Sequence, residues 1–344
     1  MAHGARDSHG RRFPMPSRER YSIGSWLGAA LGLFLATPLA VAEVREAAGE
    51  WRRMAPLPEA RTEVSVATDG ERIFLAGGFL QAGERDATAP RTLFVYDPGD
   101  DRWEALTELP RGVNHAGFEY HDGRLYVIAG FDEASFTPTD AFHIYDIDAD
   151  QWRQGPVVPT PRGALATAVL DGRIHAIGGT THGREDVGVH EVYDPQSDLW
   201  SQLAAMPTPR NHHRAAAIDG RIVVLAGRDD STFRLTTNEI YHPDDDRWEE
   251  GAPVPTGRSG VSATALDDWV YLFGGETFTP ERRTFDEAER YHLEEDRWER
   301  LPAMPTARHG LDAAAVEGAI YVIAGGPEAG FAFSDLNERL IPDD

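Results

Sequence analysis

Short runs of small and apolar residues recur along this chain about every 50 residues. In each repeat a run rich in alanine, such as residues 164–169 or 313–316, is followed by a two-residue polar turn. A continuous run of large apolar residues comes next, as at residues 125–128 and 321–324. Asp-Gly between two apolar runs is typical of a type I′ turn, and apolar side chains on both faces indicate a sheet covered on both sides. We therefore predict that each repeat begins with a buried antiparallel hairpin.

Three further residue types accompany each hairpin. An arginine precedes the alanine-rich run, a tyrosine ends a third strand, and a tryptophan lies in a fourth. The arginines are Arg61, Arg111, Arg162, Arg210, Arg258 and Arg308, and the tryptophans are Trp51, Trp103, Trp152, Trp200, Trp248 and Trp298. Both recur every 48 to 52 residues. This period indicates a repeat architecture, and four antiparallel strands per repeat correspond to one blade of a β-propeller.

The repeat count predicts the whole fold. Alanine is a poor strand former on an open sheet, so its recurrence indicates the crowded axis of a ring. The sixth repeat, which begins at Arg308, has no tryptophan after its third strand, whereas Trp51 precedes the first arginine. We predict an all-β, six-bladed β-propeller of four-stranded antiparallel blades, closed by an N-terminal strand at Trp51 that completes the last blade. Residues 43–344 would then form a single domain.

These recurring residues resemble kelch repeats. The third repeat shows the pattern well, with Arg162, Gly178-Gly179 and Trp200. In two repeats Ala replaces the first Gly of the pair, and in two others His replaces the Asp that follows Tyr. The chain resembles an exported bacterial type of six-bladed kelch propeller and is remotely similar to the propeller domains of N-acetylneuraminate epimerase and galactose oxidase. The resemblance implies that ligands meet the face where the first strands begin and where the loops after the Gly pairs project.

The first 42 residues have the pattern of a secretory signal peptide. Several arginines precede an apolar stretch at residues 23–35, and a cleavage motif of small residues ends at Ala42. We expect cleavage after Ala42, through Sec or twin-arginine export, and a periplasmic or secreted product with no membrane contact. The alternative is an uncleaved anchor, because residues 23–42 are long enough to span a bilayer.

Composition excludes several classes of function. The chain has no cysteine, which excludes disulfides, thiolate metal sites and cysteine nucleophiles. Its net charge is −24, and all 33 basic residues are arginine. An acidic surface repels phosphate backbones and anionic headgroups, so we expect no nucleic-acid or membrane partner. We expect a monomer without a cofactor.

Two sets of residues are candidates for ligand binding at the loop-rich face. The first set precedes the alanine-rich runs and comprises Arg61, Asn114, His115, Asn211, His212, Arg258, Ser259, Arg308 and His309. The second set lies in the loops after the Gly pairs and comprises Phe136, Arg228, Phe233, Phe278 and Phe331. Aromatic rings beside polar groups suit a sugar or a peptide. For the arginines, hydrogen bonds to carbonyl groups between blades are the alternative role.

We expect no metal site. His212 and His213 are adjacent on a strand and point to opposite faces, so they cannot chelate together. The copper-radical chemistry of galactose oxidase needs a cysteine, and the Glu-x-x-x-Asp-x-x-x-His spacing of the iron-binding plant specifier proteins does not occur here. The acidic turns, such as Asp244-Asp245-Asp246, lack a calcium-loop ligand set and are expected to be solvated.

Two functions remain open at this point. The first, which we favour, is a non-catalytic module that binds a saccharide or a protein at the loop-rich face. The second is a periplasmic sugar mutarotase or epimerase resembling N-acetylneuraminate epimerase, which interconverts anomers with acid and base groups at the channel mouth. Its candidate acids and bases are Glu63, His115, His212, Glu276 and His309, and the substrate carboxylate would be held by Arg61, Arg210 or Arg308.

Overall fold

The computed structural model describes residues 44–81 and 87–343, so the predicted signal peptide and its cleavage site lie outside the described residues. Within the described part, the chain folds into short strands, and its one helical element is a 3₁₀ turn at His182–Arg184. No helix there is long and apolar enough to cross a membrane.

Six sheets with four antiparallel strands each make up most of the described chain, and we number them 1 to 6 along the sequence. In strand order, sheet 1 comprises Ser65–Thr68, Ile73–Ala76, Leu93–Asp97 and Arg102–Leu106; sheet 2 comprises Gly117–His121, Arg124–Ile128, Phe142–Asp146 and Gln151–Gln154; sheet 3 comprises Ala166–Leu170, Arg173–Ile177, His190–Asp194 and Leu199–Gln202; sheet 4 comprises Arg214–Ile218, Arg221–Leu225, Asn238–His242 and Arg247–Glu250; sheet 5 comprises Ser262–Leu266, Trp269–Phe273, Ala288–His292 and Arg297–Arg300; and sheet 6 comprises Asp312–Val316, Ala319–Ile323, Asn337–Pro342 and Gly49–Arg53. Repeated four-stranded sheets of this kind are the blades of a β-propeller.

Shorter ladders lie between these sheets at the loop end. They pair Arg61–Thr62 with Phe79–Gln81, Phe79–Gln81 with Ala87–Thr88, Val113–Asn114 with Phe131–Asp132, and Glu276–Thr277 with Arg283–Thr284. One further strand, Arg45–Glu46, runs parallel to the fourth strand of sheet 5.

The predicted hairpin turns are confirmed in most repeats. Asp122-Gly123, for example, has positive φ at both residues, at 48° and 73°, as a type I′ turn requires. The first repeat differs, because its strands are joined by four residues that begin at Asp69. The Asp69 carboxylate accepts the backbone N–H groups of Glu71 and Arg72, and these bonds stabilise the longer loop.

The first strands of the sheets are packed together. Those of consecutive sheets contact one another, and the first strand of sheet 6 also contacts that of sheet 1. Together they line a central channel of about 310 Å³, in which alanine is the commonest lining residue, as expected for a crowded axis. The N–H of Val66 in sheet 1 also donates to the Asp312 carboxylate in sheet 6 at 3.0 Å.

The tryptophans join neighbouring sheets at the outer edge. Each indole N–H donates to a backbone carbonyl just after the fourth strand of the preceding sheet, as in Trp200 to Pro156 at 3.0 Å. The other five bonds run from Trp103 to Ala55, Trp152 to Thr107, Trp248 to Ala204, Trp298 to Ala252 and Trp51 to Pro302. The recurring Trp is thus a contact between sheets.

Five of the six recurring arginines are completely buried. In sheets 3 to 6 each one is paired with a glutamate of the third strand. These pairs are Arg162–Glu191 at 2.5 Å, Arg210–Glu239, Arg258–Glu289 at 2.5 Å and Arg308–Glu338 at 2.7 Å. In addition, the guanidinium groups donate to carbonyls of the second strand, as from Arg162 to Ala176 at 2.9 Å. The arginines therefore join strands within a sheet.

The second repeat lacks this buried arginine. Val113 occupies the equivalent position, because Val113–Asn114 pairs with its loop strand as Arg61–Thr62 does in the first repeat. Arg111 lies two residues earlier, half-exposed, and forms an ion pair with Asp132. The regular arginine spacing thus overstated the number of equivalent arginines.

The acidic turns between third and fourth strands have a structural role. In five repeats the hydroxyl of the third-strand tyrosine donates to an aspartate five residues later, as in Tyr145 to Asp150 at 2.5 Å. The aspartate fixes the turn, in keeping with the expectation that these acidic residues do not form a calcium site.

We predict that Arg258→Ala lowers the free energy of unfolding by about 3–5 kcal/mol, because it leaves the fully buried carboxylate of Glu289 without its cation. Arg102→Ala removes an exposed pair with Glu104 and should cost less than about 1 kcal/mol. Urea unfolding measures both. Equal losses for the two variants would contradict the structural role of the buried pair.

Candidate functional site

Six loop residues at one register meet above the central channel. They are Glu63, His115, Ala164, His212, Gly260 and Gly310, and all have φ between 51° and 65°. From His115 onward, each residue donates its N–H to the carbonyl of the equivalent residue in the preceding repeat, and the N–H of Val64 donates to the carbonyl of Gly310. The six hydrogen bonds measure 2.9 to 3.4 Å. We call this set the loop ring.

The left-handed backbone of the loop ring favours glycine, yet three positions carry large polar side chains. At position 310 a Cβ atom would lie 2.8 Å from Cδ of Glu63, so glycine is needed there both for φ and for space. Glu63, His115 and His212 adopt the same conformation at a cost of about 1–2 kcal/mol each. Such strain at non-glycine residues is a feature of functional sites.

These side chains form the floor of a pocket of about 280 Å³. The carboxylate of Glu63 lies 3.1 Å from Nε2 of His115 and 3.7 Å from Nε2 of His309. Nε2 of His309 is also 3.6 Å from the carboxylate of Glu276. All five acid and base candidates named from the sequence, which include His212, line this single pocket.

Two asparagines orient two of the histidines. Asn114 donates its amide N–H to the carbonyl of Glu133 at 2.6 Å, which turns its Oδ1 toward Nδ1 of His115, also at 2.6 Å. Asn211 is held in the same way by Asp186 and presents its Oδ1 to Nδ1 of His212. An amide oxygen only accepts, so each ring donates from Nδ1. Nε2 of His212 accepts from Arg228, and Nε2 of His115, which faces Glu63, is bare because burial keeps that ring neutral at neutral pH.

Arg228 is the cation of the pocket. Its guanidinium donates to Nε2 of His212 at 2.9 Å, to the Glu276 carboxylate at 3.2 Å and to Oδ1 of Asn211 at 3.1 Å. The other carboxylate oxygen of Glu276 accepts the N–H of Gly330 at 2.7 Å. Arg228 and Glu276 therefore hold adjacent loops together and leave the other acceptors of the floor free.

Burial determines the charges on the floor. Burial lowers the pKa of His115 to about 4, with the Arg228 charge acting in the same direction. Burial and then Arg228 hold the pKa of His212 well below its usual value. Burial alone would raise the pKa of Glu63, but the neighbouring histidines together with Arg228 and Arg214 outweigh it and leave that pKa below its usual value. At neutral pH the floor thus presents a carboxylate next to uncharged imidazoles.

Phenylalanines form the walls of the pocket. Phe136, Phe233, Phe278 and Phe331, which the sequence analysis named, all line it, together with Phe79, which it did not. The side chains of Phe136 and Phe331 are 49% and 63% exposed, although both are large and apolar. Exposed aromatic groups beside a polar floor are typical of a binding site.

The remaining ligand candidates do not line this pocket. Arg61, Arg258 and Arg308 are completely buried in ion-pair and carbonyl contacts, so their role is structural. Their hydrogen bonds lie within one repeat, however, and not between blades as the alternative stated. Ser259 is also fully buried, and its hydroxyl donates to the carbonyl of Glu276 at 3.4 Å. Asn114 and Asn211 orient histidines instead of lining this floor.

A second, larger cavity of about 510 Å³ lies next to the pocket. It shares Phe136, His212, Arg228 and Phe233 with the pocket and extends over the 3₁₀ turn. His213, by contrast, is turned into the interior, where its Nε2 lies 3.1 Å from the carbonyl of Ile177. The two histidines thus point in different directions as expected, but they precede the strand Arg214–Ile218 instead of lying on it, and His212 has a left-handed backbone.

The sequence analysis missed Phe79 and Thr62, although the repeats contained a signal for both. Phe79, Arg228 and Glu276 all follow a Gly pair or its Ala-Gly equivalent, and each pairs with the residue just before the loop ring. Thr62 is the residue before Glu63, and its buried hydroxyl has no partner in the described residues. Aligning every repeat on its Gly pair would have found them.

Comparison with known proteins identifies relatives of the repeats. The profile of the KLHDC2/KLHL20/DRC7 Kelch-repeats domain matches residues 47–227 and 192–338. Kelch-like protein terF of Aspergillus terreus is 26% identical over 146 residues, which are 40% of this chain and 32% of that protein. Kelch-like protein 35 of Mus musculus is 30% identical over 132 residues, which are 38% of this chain and 21% of that protein. Kelch repeat and BTB domain-containing protein 13 of Homo sapiens is 33% identical over 130 residues, which are 36% of this chain and 27% of that protein. The matches span about a fifth to a third of these relatives.

We predict that Arg228→Gln raises the pKa of His212, because it removes the positive charge that lies 2.9 Å from Nε2. Burial remains, so the pKa should stay below the usual value. NMR titration of the histidine ring signals measures the change, with Arg184→Gln, an exposed arginine of the adjacent loop, as the control. An unchanged His212 titration in Arg228→Gln would contradict the described contact.

Proposed function

The chain belongs to the kelch-repeat family, and we propose that it is an exported kelch propeller that binds a saccharide or protein ligand at its loop-rich face. A saccharide is the ligand that the pocket fits best. The observation that carries this choice is the combination of an acceptor-rich floor with phenylalanine walls.

The floor favours a ligand that donates hydrogen bonds. Oε2 of Glu63 and Nε2 of His115 are two acceptors 3.1 Å apart, and with Nδ1 protonated no ring hydrogen lies between them. A ligand hydroxyl can donate to either. The phenylalanine faces match the apolar C–H face of a pyranose ring, and the exposed Phe331 places one of these faces at the entrance.

A protein ligand is the alternative occupant of the same face. Kelch repeats commonly mediate protein binding, and the relatives described above are kelch-like proteins. The exposed Phe136 and Phe331 would then act as anchors for a partner side chain. The pocket floor, however, lies below these rings and is suited to a small polar group.

We also propose that the six sheets form a closed six-bladed ring, in which Gly49–Arg53 completes the last blade. Three cyclic sets of contacts support this. They are the contacts between first strands, the indole hydrogen bonds of the tryptophans, and the loop ring. Each set includes a contact between sheets 1 and 6, and the pairing of Trp51 with Leu340 joins the two ends of the described chain.

Export of the mature domain to the periplasm or the outside of the cell is part of the proposal. Its support is the pattern of the first 42 residues, in which basic residues precede an apolar stretch and a small-residue motif. The absence of cysteine and the acidic charge of −24 are compatible with this location. We propose a bacterial, monomeric protein.

We predict that a glycan array identifies a saccharide ligand and that Phe331→Ala weakens its binding about tenfold, because an entrance ring that packs on the sugar is lost. Isothermal titration measures the loss. Leu199→Ala removes an equally exposed apolar side chain from the fourth strand of sheet 3 and should leave the affinity unchanged. If the protein binds members of a peptide library and no glycan, the ligand is a protein and the saccharide proposal is wrong.

A second function, sugar mutarotation, is favoured by the Glu63–His115 pair, two proton acceptors 3.1 Å apart, either of which can act as general base toward an anomeric hydroxyl in a pocket that also holds Arg228. We predict that the protein accelerates anomer exchange of sialic acid and that Glu63→Gln reduces the rate at least 100-fold. NMR exchange spectroscopy measures this rate, with His182→Gln, an exposed histidine of the 3₁₀ turn, as the control. Exchange no faster than in buffer would exclude the mutarotase.

A further inference from the structure

Three potential metal ligands from three different repeats converge on the pocket floor. A carboxylate oxygen of Glu63 and one ring nitrogen each of His115 and His212 all lie within 4.8 Å of one another. Ligand atoms bonded to one zinc ion at about 2.0–2.2 Å are about 3–3.5 Å apart. The Glu63–His115 distance of 3.1 Å already satisfies this, and the His212 nitrogen lies within 4.8 Å of both other ligand atoms.

The surroundings of both histidines match those of metal ligands. A ligating histidine donates its other ring N–H to a fixed oxygen, which orients the ring and directs the bare nitrogen to the ion. Here an asparagine side chain supplies that oxygen for each ring, Asn114 for His115 and Asn211 for His212. Both asparagines are themselves held by a further hydrogen bond, to the Glu133 carbonyl and to Asp186.

The protonation states also suit a cation. Metal binding requires neutral imidazoles and an ionised carboxylate. The side-chain oxygens of Asn114 and Asn211 accept at Nδ1 of the two rings, so each ring can offer its Nε2 lone pair to a cation. Glu63 faces the bare nitrogen of His115 at 3.1 Å, an arrangement of two acceptors that a cation between them would stabilise.

Arg228 contacts the third potential ligand, His212, in the described structure. Its guanidinium donates to Nε2 of His212, so an ion can bind that nitrogen only when this hydrogen bond breaks. The guanidinium retains two other acceptors, the carboxylate of Glu276 and Oδ1 of Asn211, which can hold it after the displacement. Arg228 and a metal ion therefore compete for one lone pair.

We propose that Glu63, His115 and His212 form a binding site for one divalent first-row transition-metal ion. The two-nitrogen, one-oxygen ligand set suits zinc, iron or manganese, whereas calcium prefers oxygen ligands alone. Three protein ligands leave coordination positions open toward the phenylalanine walls, where an oxygen atom of a bound ligand would complete the site. The inference does not depend on the saccharide proposal, since it rests on the floor residues alone.

No metal site was expected from the sequence, because ligand sets were sought among residues that are close together in the chain. The three ligands proposed here are 52 and 97 residues apart, Glu63 to His115 and His115 to His212. They meet because they occupy the same register of the loop ring. His309 and Glu276 lie just outside the set and add polar groups around it.

The test is titration of the full chain, stripped with EDTA, with Zn²⁺ by calorimetry and with Co²⁺ by visible absorption. We expect one ion per chain and intense tetrahedral-type Co²⁺ bands. His115→Gln and His212→Gln should each weaken binding at least 100-fold, and Asn114→Ala about 10- to 100-fold, whereas the exposed His182→Gln should have no effect. Arg228→Gln should tighten binding about tenfold, a gain that misfolding cannot produce.

Failure to bind one ion per chain would overturn the metal site. Binding that His115→Gln and His212→Gln leave unchanged would also overturn it and would indicate ions held by the acidic surface. So would a lower metal affinity of the Arg228→Gln variant. Saccharide binding is measured separately in EDTA, without metal. Saccharide binding that persists while no metal binds would therefore reject the metal site and leave the proposed function intact.

Discussion

The loop ring is the constraint on which the functional face depends. Each of its hydrogen bonds joins one repeat to the next, and each requires a residue with a left-handed backbone. That backbone turns the side chain toward the centre, where equivalent positions of different repeats lie close together. Glycine fills the position where no side chain is needed, as at Gly260 and Gly310. Where a side chain is present, it is placed beside side chains from repeats that are distant in sequence.

The other recurring positions serve the scaffold. The buried arginines neutralise third-strand glutamates, the tyrosines cap the acidic turns, and the tryptophans connect each sheet to its neighbour. These contacts recur in most repeats, so they contribute rigidity and do little to distinguish one repeat from another. The chemistry lies where equivalent positions differ, for example where one repeat has His212 and the next has Gly260. A rigid, symmetric frame with asymmetric side chains is an effective way to position a floor of acceptors.

Much of this arrangement was predictable from the sequence because a repeat reveals its own register. The hairpins and the position of Trp51 beside the last strands followed from counting, whereas the resemblance to kelch propellers implied that Glu63, His115 and His309 lie at one face. The spacing of the repeats does not indicate the direction or the burial of each side chain. Arg111 keeps the repeat spacing but lies two residues from the buried register, and Asp69 makes a longer loop through its own hydrogen bonds. The contact of Arg228 with His212 depends on how two loops fold against each other, which no periodicity describes.

The central claim is that the floor of the pocket presents bare histidine nitrogens, held in that state by oxygen acceptors behind each ring. Nδ1 of His309 faces the carbonyl of Gly326 at 3.1 Å, so three histidines share the arrangement. Long-range ¹H–¹⁵N NMR of the metal-free protein at neutral pH reports which ring nitrogen carries the proton. We expect a neutral ring protonated on Nδ1 for His115 and His212. A proton on Nε2 of His115 or His212 would contradict it, since the floor would then present a donor where the pocket chemistry requires an acceptor.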